Sequence, residues 1–406
     1  MSSPTEFSKP SPAPSLRIGL FGFGCVGQGL WDVLHRTPGL RAEISKICVK
    51  DRSKERTLPA SAFTFDKNDI LNDPEINVVV ELINDADAAF DIVSTSLRNG
   101  KAVVSANKRM IAEHAQTLLA LQAETAQPFL YEAAVCGSIP IIRNLEEYYD
   151  NDMLNGIEGI VNGTTNYILT KLTDAHGRSP ASYPEILKDA QRLGFAESDP
   201  TLDVQGFDAA FKTVILLVHG FGLVVQPEDV VRRGMTSVTP FDIRIAANQG
   251  QTIKLLSRSR QQGDKISAYV LPAFVPNERA LAGVRDEYNA VSLQAAFSDA
   301  QFMSGKGAGS HPTASAVLSD IAALRYGYRY EYKKIKQKGS TTFSNDIPVR
   351  IYARSADDAI LQSIAWASKD VEYRSGDGHY IIGTTTLNEL LASQAFADND
   401  TFIATA

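Results

Sequence analysis

Asp208 and Lys212 stand four positions apart between Gly206 and Val218, the only charges among Phe207, Ala209, Ala210, Phe211, Val214, Ile215 and Leu216. That spacing puts both on one face of a helix. On an exposed helix they would form an ordinary ion pair worth roughly a few tenths of a kcal/mol. This helix is apolar on nearly every face and is expected to be buried, where two charges cost on the order of several kcal/mol unless they are paired or used. A use follows from their types. Oxidising an alcohol needs an acceptor for hydride and a group that takes the hydroxyl proton. Desolvation can shift a lysine amine toward neutrality, so Lys212 is the expected acid/base. Asp208 and Glu197, as acceptors only, suit a substrate ammonium.

The hydride acceptor has its own signal. Gly22-Phe23-Gly24-Cys25-Val26-Gly27 fits GxGxxG between an apolar run, Leu16 to Phe21, and the helical pattern Val26, Leu30, Trp31, Val33, Leu34. Glycines serve there for the tight turn, for backbone approach to a pyrophosphate and for close helix packing. The helix N-terminus adds free N–H groups and a favourable dipole. After the second strand come Lys50, Asp51 and Arg52. The cations Lys50 and Arg52 favour NADP(H) through its 2′-phosphate, Asp51 leaves NAD(H) open, and a solvated charged turn is the bland alternative. No GxSxG motif, Cys–His pair or HExxH spacing competes with this chemistry.

These residues need a scaffold. Apolar runs at Ile44 to Val49, Val78 to Ile83, Ala102 to Ser105 and Phe129 to Ala134 read as strands, alternating with helices at Phe90 to Asn99 and Lys108 to Glu124. The alternation predicts an α/β, Rossmann-type doubly wound parallel sheet over residues 16–138, completed by about 305–330. From Gly137 the rhythm changes. Helices are expected at Ile139 to Tyr148, Tyr167 to Ala175, Tyr183 to Leu193 and Gly206 to Val218, and strands at Ile157 to Val161, Ile266 to Pro272 and Ala290 to Phe297. They make an α+β catalytic and dimerisation domain over 139–304. Within residues 340–406 the order is strand Val349 to Arg354, helix Asp357 to Ser368, strand Val371 to Arg374, turn Gly376 to Gly378, strand His379 to Thr384, helix Leu387 to Phe396 and strand Phe402 to Thr405. This βαββαβ pattern is ferredoxin-like.

Bulk properties narrow the class. A chain of 406 residues exceeds one ordinary core, and a formal net charge of -7 argues against a nucleic-acid surface. The Ser/Pro-rich start, residues 1–15, reads as a disordered tail with no apolar stretch for a signal peptide. Val214 to Val225, the longest apolar run, falls short of the roughly 18 residues of a membrane span. Cys25, Cys48 and Cys136 are scattered and odd in number, which points to a reducing cytoplasm.

Several segments together resemble homoserine dehydrogenase. They are the Gly22–Gly27 loop, Ser105-Ala106-Asn107-Lys108, Glu132 to Pro140, Asn162-Gly163-Thr164-Thr165-Asn166-Tyr167-Ile168-Leu169, Gly194 to Pro200 with Asp203, Asp208 and Lys212, and Gly305 to Gly309 ahead of Thr313 to Val317. The likeness runs from about residue 16 to 330. It implies interconversion of L-homoserine and L-aspartate 4-semialdehyde in threonine and methionine biosynthesis, with Lys212 as acid/base and Lys108 beside the cofactor and the reacting carbon. Glu197, Asp208, Asp203, Thr164 and Gly163 would surround the amino acid, and Asn84, Gly194 and Gly307 would join the glycine loop around the cofactor. A monovalent cation, Na+ or K+, would sit on main-chain oxygens of Glu132, Val135, Gly137 and Ile139, and the enzyme would be a homodimer or a dimer of dimers. Two features depart from the family. Glu81-Leu82-Ile83-Asn84-Asp85 stands where the family continues ELIGG, so side chains replace glycines near the cofactor channel. The C-terminal unit resembles an ACT-type module in element order, but its first loop, Ser355 to Asp358, lacks the Pro-Gly turn of effector-binding copies; packing or dimerisation is expected, with threonine control as the alternative. Rival readings are another two-domain NAD(P) oxidoreductase and a cofactor-binding sensor without turnover, the latter favoured by Asn84-Asp85.

Overall fold

Short β-branched runs that are apolar on both faces can be buried only inside a sheet covered on both sides. Val78, Val79 and Val80 are such a run and are fully buried at the centre of the first sheet. The structure, a computed structural model, describes residues 15–150, 154–175, 183–193, 195–337, 339, 341–375 and 378–406. The N-terminal tail, Gly194 and the Gly376-Asp377 part of the predicted turn lie outside the described residues.

The first sheet comprises β1 (Leu16–Phe21), β2 (Ala42–Cys48), β3 (Phe63–Thr64), β4 (Val78–Glu81), β5 (Ala102–Ser105) and β6 (Phe129–Leu130). Their order is β3-β2-β1-β4-β5-β6, all parallel. The order reverses between β1 and β4, so a crevice opens there beyond the strands' C-terminal ends, where open α/β sheets bind ligands. The Cys25–His35 helix follows β1 and packs against the Ser310–Leu324 helix, by which the chain returns to this sheet. The Ala86–Arg98 helix starts at Asp85, whose carboxylate accepts from Ala88 N at 3.0 Å, and the Lys108–Glu113 helix starts at Asn107, which accepts from Met110 N at 3.0 Å.

Boundaries differ from the sequence reading in places with visible causes. The expected Lys108 to Glu124 helix breaks at His114, whose ring stacks on Phe90 with centroids 4.0 Å apart. The strand expected through Ala134 stops at Leu130, because Glu132–Ala134 forms a tight turn and the Glu132 carboxylate accepts from Ile142 N and Arg143 N. The helix expected from Ile139 begins at Ile141 as a consequence.

The second sheet is mixed. It contains β7 (Leu154–Ile160), β8 (Val231–Arg232), β9 (Gln251–Gln262), β10 (Lys265–Pro276), β11 (Tyr288–Ala295), β12 (Asp299–Lys306), β13 (Thr342–Phe343), β14 (Pro348–Ser355), β15 (Ser368–Ser375), β16 (Gly378–Thr386) and β17 (Phe402–Thr405). The main order is β12-β11-β7-β9-β10-β17-β14-β16-β15, with β8 and β13 also on β10. The last four strands are mutually antiparallel in the order of a ferredoxin-like unit. They are not a separate sheet: β17 pairs with β10 through Ala273 and Thr405. The helix expected to reach Ser368 ends at Gln362, and the backbone turns so that Ala367 N bonds Thr384 O at 2.7 Å and β15 can begin. Among the described residues, no helix is long and apolar enough to cross a membrane. The three cysteines are free.

Candidate active site

The Phe207–Phe221 helix is buried along its length from Asp208 onward and ends at Gly222, whose φ of 66° suits glycine. It packs against the helix that Lys108 begins. Lys212 is only 8% exposed. Its Nζ donates to Asp208 Oδ2 at 2.7 Å and to the main-chain oxygen of Val161, just past β7, at 2.6 Å. An ammonium has three N–H bonds, so one remains for a substrate oxygen. From the other side Lys108 Nζ, on a half-exposed side chain, lies 3.1 Å from Asp208 Oδ1.

Asp208 is therefore the hub of the site. Burial works against its charge, but Lys212 and Lys108 beside it, with hydrogen bonds from Lys212 and Asn162, outweigh burial and hold its carboxyl well below the usual range. The same Asp208 charge holds the Lys108 ammonium above its ordinary pKa. Asn162 Nδ2 bonds Asp208 Oδ2 at 2.9 Å and Asp203 Oδ1 at 2.8 Å, while its Oδ1 caps the Gly163–Ala175 helix through Thr165 N at 2.9 Å. Burial, and then repulsion from Asp208, raise the Asp203 carboxyl. Three protein donors thus occupy Asp208, leaving one of its four lone-pair positions. Asp208, expected from the sequence as an acceptor for a substrate ammonium, has the two lysines and Asn162 as its partners here. Asn162 was not singled out from sequence as a site residue; its signal was an Asn directly ahead of a helix, which starts four residues earlier than expected.

Other expected residues fall around this hub. Thr164 Oγ1 donates to Phe195 O at 2.6 Å, and Gly163 lies so close to Glu287 that a Cβ would come within 2.6 Å of its carbonyl. Glu197 is exposed and forms no ion pair among the described residues, although its charge acts on Lys108. Gly194 lies outside the described residues.

The glycine loop divides its work by position. Gly22 has φ 92°, and a Cβ there would sit 2.7 Å from Leu82 O; a Cβ on Gly27 would sit 2.4 Å from Gly22 O. Gly24 has nothing within 4 Å of its Cβ position, so its backbone is open to a ligand. Phe23 is buried edge-on to Phe63 with centroids 5.3 Å apart, Cys25 is exposed, and Val26 is half-buried. A groove of about 730 Å³ runs from Gly22 and Gly24 past Ile83 to Lys50, Asp51 and Arg52. Asp51 spends Oδ1 on Ser53 N at 2.8 Å and Ser53 Oγ at 2.7 Å.

Family models match this architecture in succession: the homoserine dehydrogenase NAD binding domain over residues 22–132, then homoserine dehydrogenase over residues 140–322. The homoserine dehydrogenase of Bacillus subtilis is 39% identical over 324 residues, 78% of this chain and 74% of that protein. The chain belongs to the homoserine dehydrogenase family. The Corynebacterium glutamicum homoserine dehydrogenase is 36% identical over 359 residues, covering 85% of this chain and 79% of the relative. A crystal structure of a homoserine dehydrogenase from Thiobacillus denitrificans superposes with TM-score 0.84 at 30% identity, covering 97% of this chain and 98% of that one. The chain is accordingly an oxidoreductase with a nicotinamide-dinucleotide domain and the catalytic domain of homoserine dehydrogenases.

Asn84 and Asp85, at the positions where the resemblance implied glycines, are exposed, and the Asp85 carboxylate caps the helix that follows by accepting from Ala88 N. Cys136 and Gly137 both take positive φ, 56° and 52°, folding the segment back on the return loop; a Cβ on Gly137 would lie 2.6 Å from Gly307 O. Gly307 in turn lies flat against Asn289. Val135 and Gly137 are buried, and among the described residues no hydrogen bond reaches either main-chain oxygen. Glu132 O and Ile139 O each accept one backbone N–H, leaving a lone pair apiece. Buried carbonyls without partners are the donor chemistry a hard monovalent cation takes, so the residues fit that ion.

Proposed function

We propose that this oxidoreductase interconverts L-homoserine and L-aspartate 4-semialdehyde, with Lys212 moving the proton of the hydroxyl group. One observation carries the reading: a buried lysine with two N–H bonds fixed on Val161 O and Asp208 and the third uncommitted. Nicotinamide, when bound, supplies the hydride acceptor or donor. In the oxidative direction Lys212 takes the hydroxyl proton through its amine; in the reductive direction its ammonium returns a proton to the carbonyl oxygen. Asp208 keeps both lysine side chains aimed at one point, and Lys108 places a second positive charge where the oxygen becomes negative. Glu197 and Asp203 are the acceptors left for the substrate ammonium, with Thr164 and Gly163 shaping the same wall.

NADP(H) is the favoured cofactor. Asp51 is bound to Ser53, whereas Lys50 and Arg52 remain on the rim for a 2′-phosphate. Main-chain oxygens of Glu132, Val135, Gly137 and Ile139 would hold Na+ or K+, fixing the loop that touches Gly307. The reading extends to cytoplasmic amino-acid biosynthesis toward threonine and methionine by a homodimer or dimer of dimers. It divides the chain at 16–138, 139–304 and 340–406, the last an ACT-like unit used for packing.

Initial rates with homoserine and NADP+ or NAD+, with and without Na+ or K+, test the activity. Lys212→Ala should remove turnover and leave NADPH binding intact. A Lys212→Ala protein that turns over homoserine normally would overturn the assignment.

A further inference from the structure

Glu81 ends β4 and is 0% exposed. Its Oε1 accepts from Ile83 N at 2.6 Å and its Oε2 from Ser105 Oγ at 2.5 Å. Ser105 Oγ accepts from Asn107 N at 3.0 Å, and Asn107 Nδ2 donates to Ile83 O at 3.0 Å. The four residues thus close a ring across the C-terminal ends of β4 and β5. One side of that ring is the groove floor: Leu82 O lies against Gly22, and Ile83 lines the dinucleotide groove. The other side is Asn107, which caps the helix whose first residue is Lys108.

A carboxyl group is an expensive way to receive one N–H and one O–H in a dry site, since an amide or hydroxyl would satisfy them without a charge. Among the described residues no charged group acts on it: burial pushes it up to about 7, against the hydrogen bonds from Ser105 and Ile83. Burial thus favours the protonated form of a carboxyl that sits where β4 runs on into the groove floor at Leu82–Ile83.

We propose that Glu81 is a positioning residue for hydride transfer, its carboxyl setting the distance between the dinucleotide floor at Leu82–Ile83 and the ammonium of Lys108. The role rests on the proposed reaction, because it requires both cofactor and Lys108 to act at one carbon. Gln at this position can still accept from Ile83 N and turn its amide to Ser105 Oγ, so the ring survives without the titratable group; Ala opens it.

The test uses the full chain as wild type, Glu81→Gln, Glu81→Ala and Ser105→Ala. It reads kcat and KM for homoserine from pH 6 to 8, with NADPH dissociation constants from cofactor fluorescence. Glu81→Ala is expected to lower kcat at least tenfold and to weaken NADPH about tenfold, with KM for homoserine within about threefold. Glu81→Gln should restore most of that loss, and the ratio of wild-type to Glu81→Gln kcat should change across pH 7. The proposal falls if Glu81→Ala keeps wild-type kcat, if Glu81→Gln is as impaired as Glu81→Ala, or if the ratio is flat. Should Glu81→Ala fail to fold, Ser105→Ala opens the same ring and takes its place under the same criteria. A wild type that does not oxidise homoserine overturns the assigned reaction instead, and NADPH affinity alone then decides whether Glu81 holds the groove floor.

Discussion

Replacing Asp208 by Asn should harm the fold more than replacing Lys212 by Met, although Lys212 is the residue assigned to the proton. The reason is charge bookkeeping around one carboxylate. Lys212→Met leaves Asp208 with Lys108 at 3.1 Å and Asn162 at 2.9 Å, one charge of each sign. Asp208→Asn leaves two ammonium groups that had sat on opposite oxygens of one carboxylate, roughly 5 Å apart, repelling by about 3 kcal/mol at an effective dielectric near 20. Half-exposure of Lys108 screens part of this, and removing one partner of a buried pair adds its own cost, so about 3–5 kcal/mol is expected for Asp208→Asn. Lys212→Met should cost roughly 1–2 kcal/mol, within the ordinary range for single substitutions. Urea denaturation followed by circular dichroism should therefore place Asp208→Asn well below Lys212→Met in midpoint. The double variant should be more stable than Asp208→Asn alone, because the second change removes a stranded charge. Activity should not follow stability: Lys212→Met should lose on the order of 10²–10⁴ in kcat, and the double variant should stay dead. An Asp208→Asn protein as stable as wild type, or a double variant less stable than Asp208→Asn, would refute the idea that one carboxylate holds both lysines.

Further outcomes follow from the same geometry. Gly24→Ala has room for its Cβ at an ordinary φ of -82°, so the melting temperature should hold while NADPH affinity falls at least tenfold; Gly27→Ala, with its Cβ 2.4 Å from Gly22 O, should lose both. The Glu81 carboxyl is raised from 4.5 to about 7 on folding, so the folded chain keeps a proton that the unfolded chain has released. That contribution is fully present below pH 4.5 and is lost as pH rises through 7, a change of about 3 kcal/mol. Denaturation midpoints of wild type minus Glu81→Gln should decline over that window, and a constant difference would contradict the burial. Arg52→Ala should weaken NADPH about tenfold and leave NADH nearly unchanged in competition titrations; equal losses for both would remove the 2′-phosphate from its role.

The sequence carried what local chemistry and periodicity can encode. Three glycines at fixed spacing after an apolar run announced the dinucleotide turn, because only glycine tolerates both the positive φ of Gly22 and the 2.4 Å approach at Gly27. Asp208 and Lys212 announced themselves as charges four apart on a helix too apolar to be exposed, and the parallel sheet followed from the alternation of apolar strand runs such as Val78 to Ile83 with helices. Elements whose pattern depends on a neighbour were not legible. β9 and β12 carry polar or exposed side chains through much of their length and become strands because β10, β7 and β11 offer them ladder partners.

Which donors meet at Asp208 was decided by the tertiary structure alone. Lys108 lies 100 positions from Asp208 and Asn162 lies 46, distances over which a chain has no local periodicity to record contact. Only the packing of the Phe207–Phe221 helix against the Lys108–Glu113 helix and β7 brings them within hydrogen-bond reach, and that makes Asp208 the anchor of two lysines. The Glu81 ring has the same origin: an acid at the end of an apolar strand becomes meaningful once parallel pairing sets Ser105 beside it. Composition and spacing select the chemistry, whereas burial and long-range closure decide which groups share a charge, because the free energy of a charge depends on what surrounds it in space rather than along the chain.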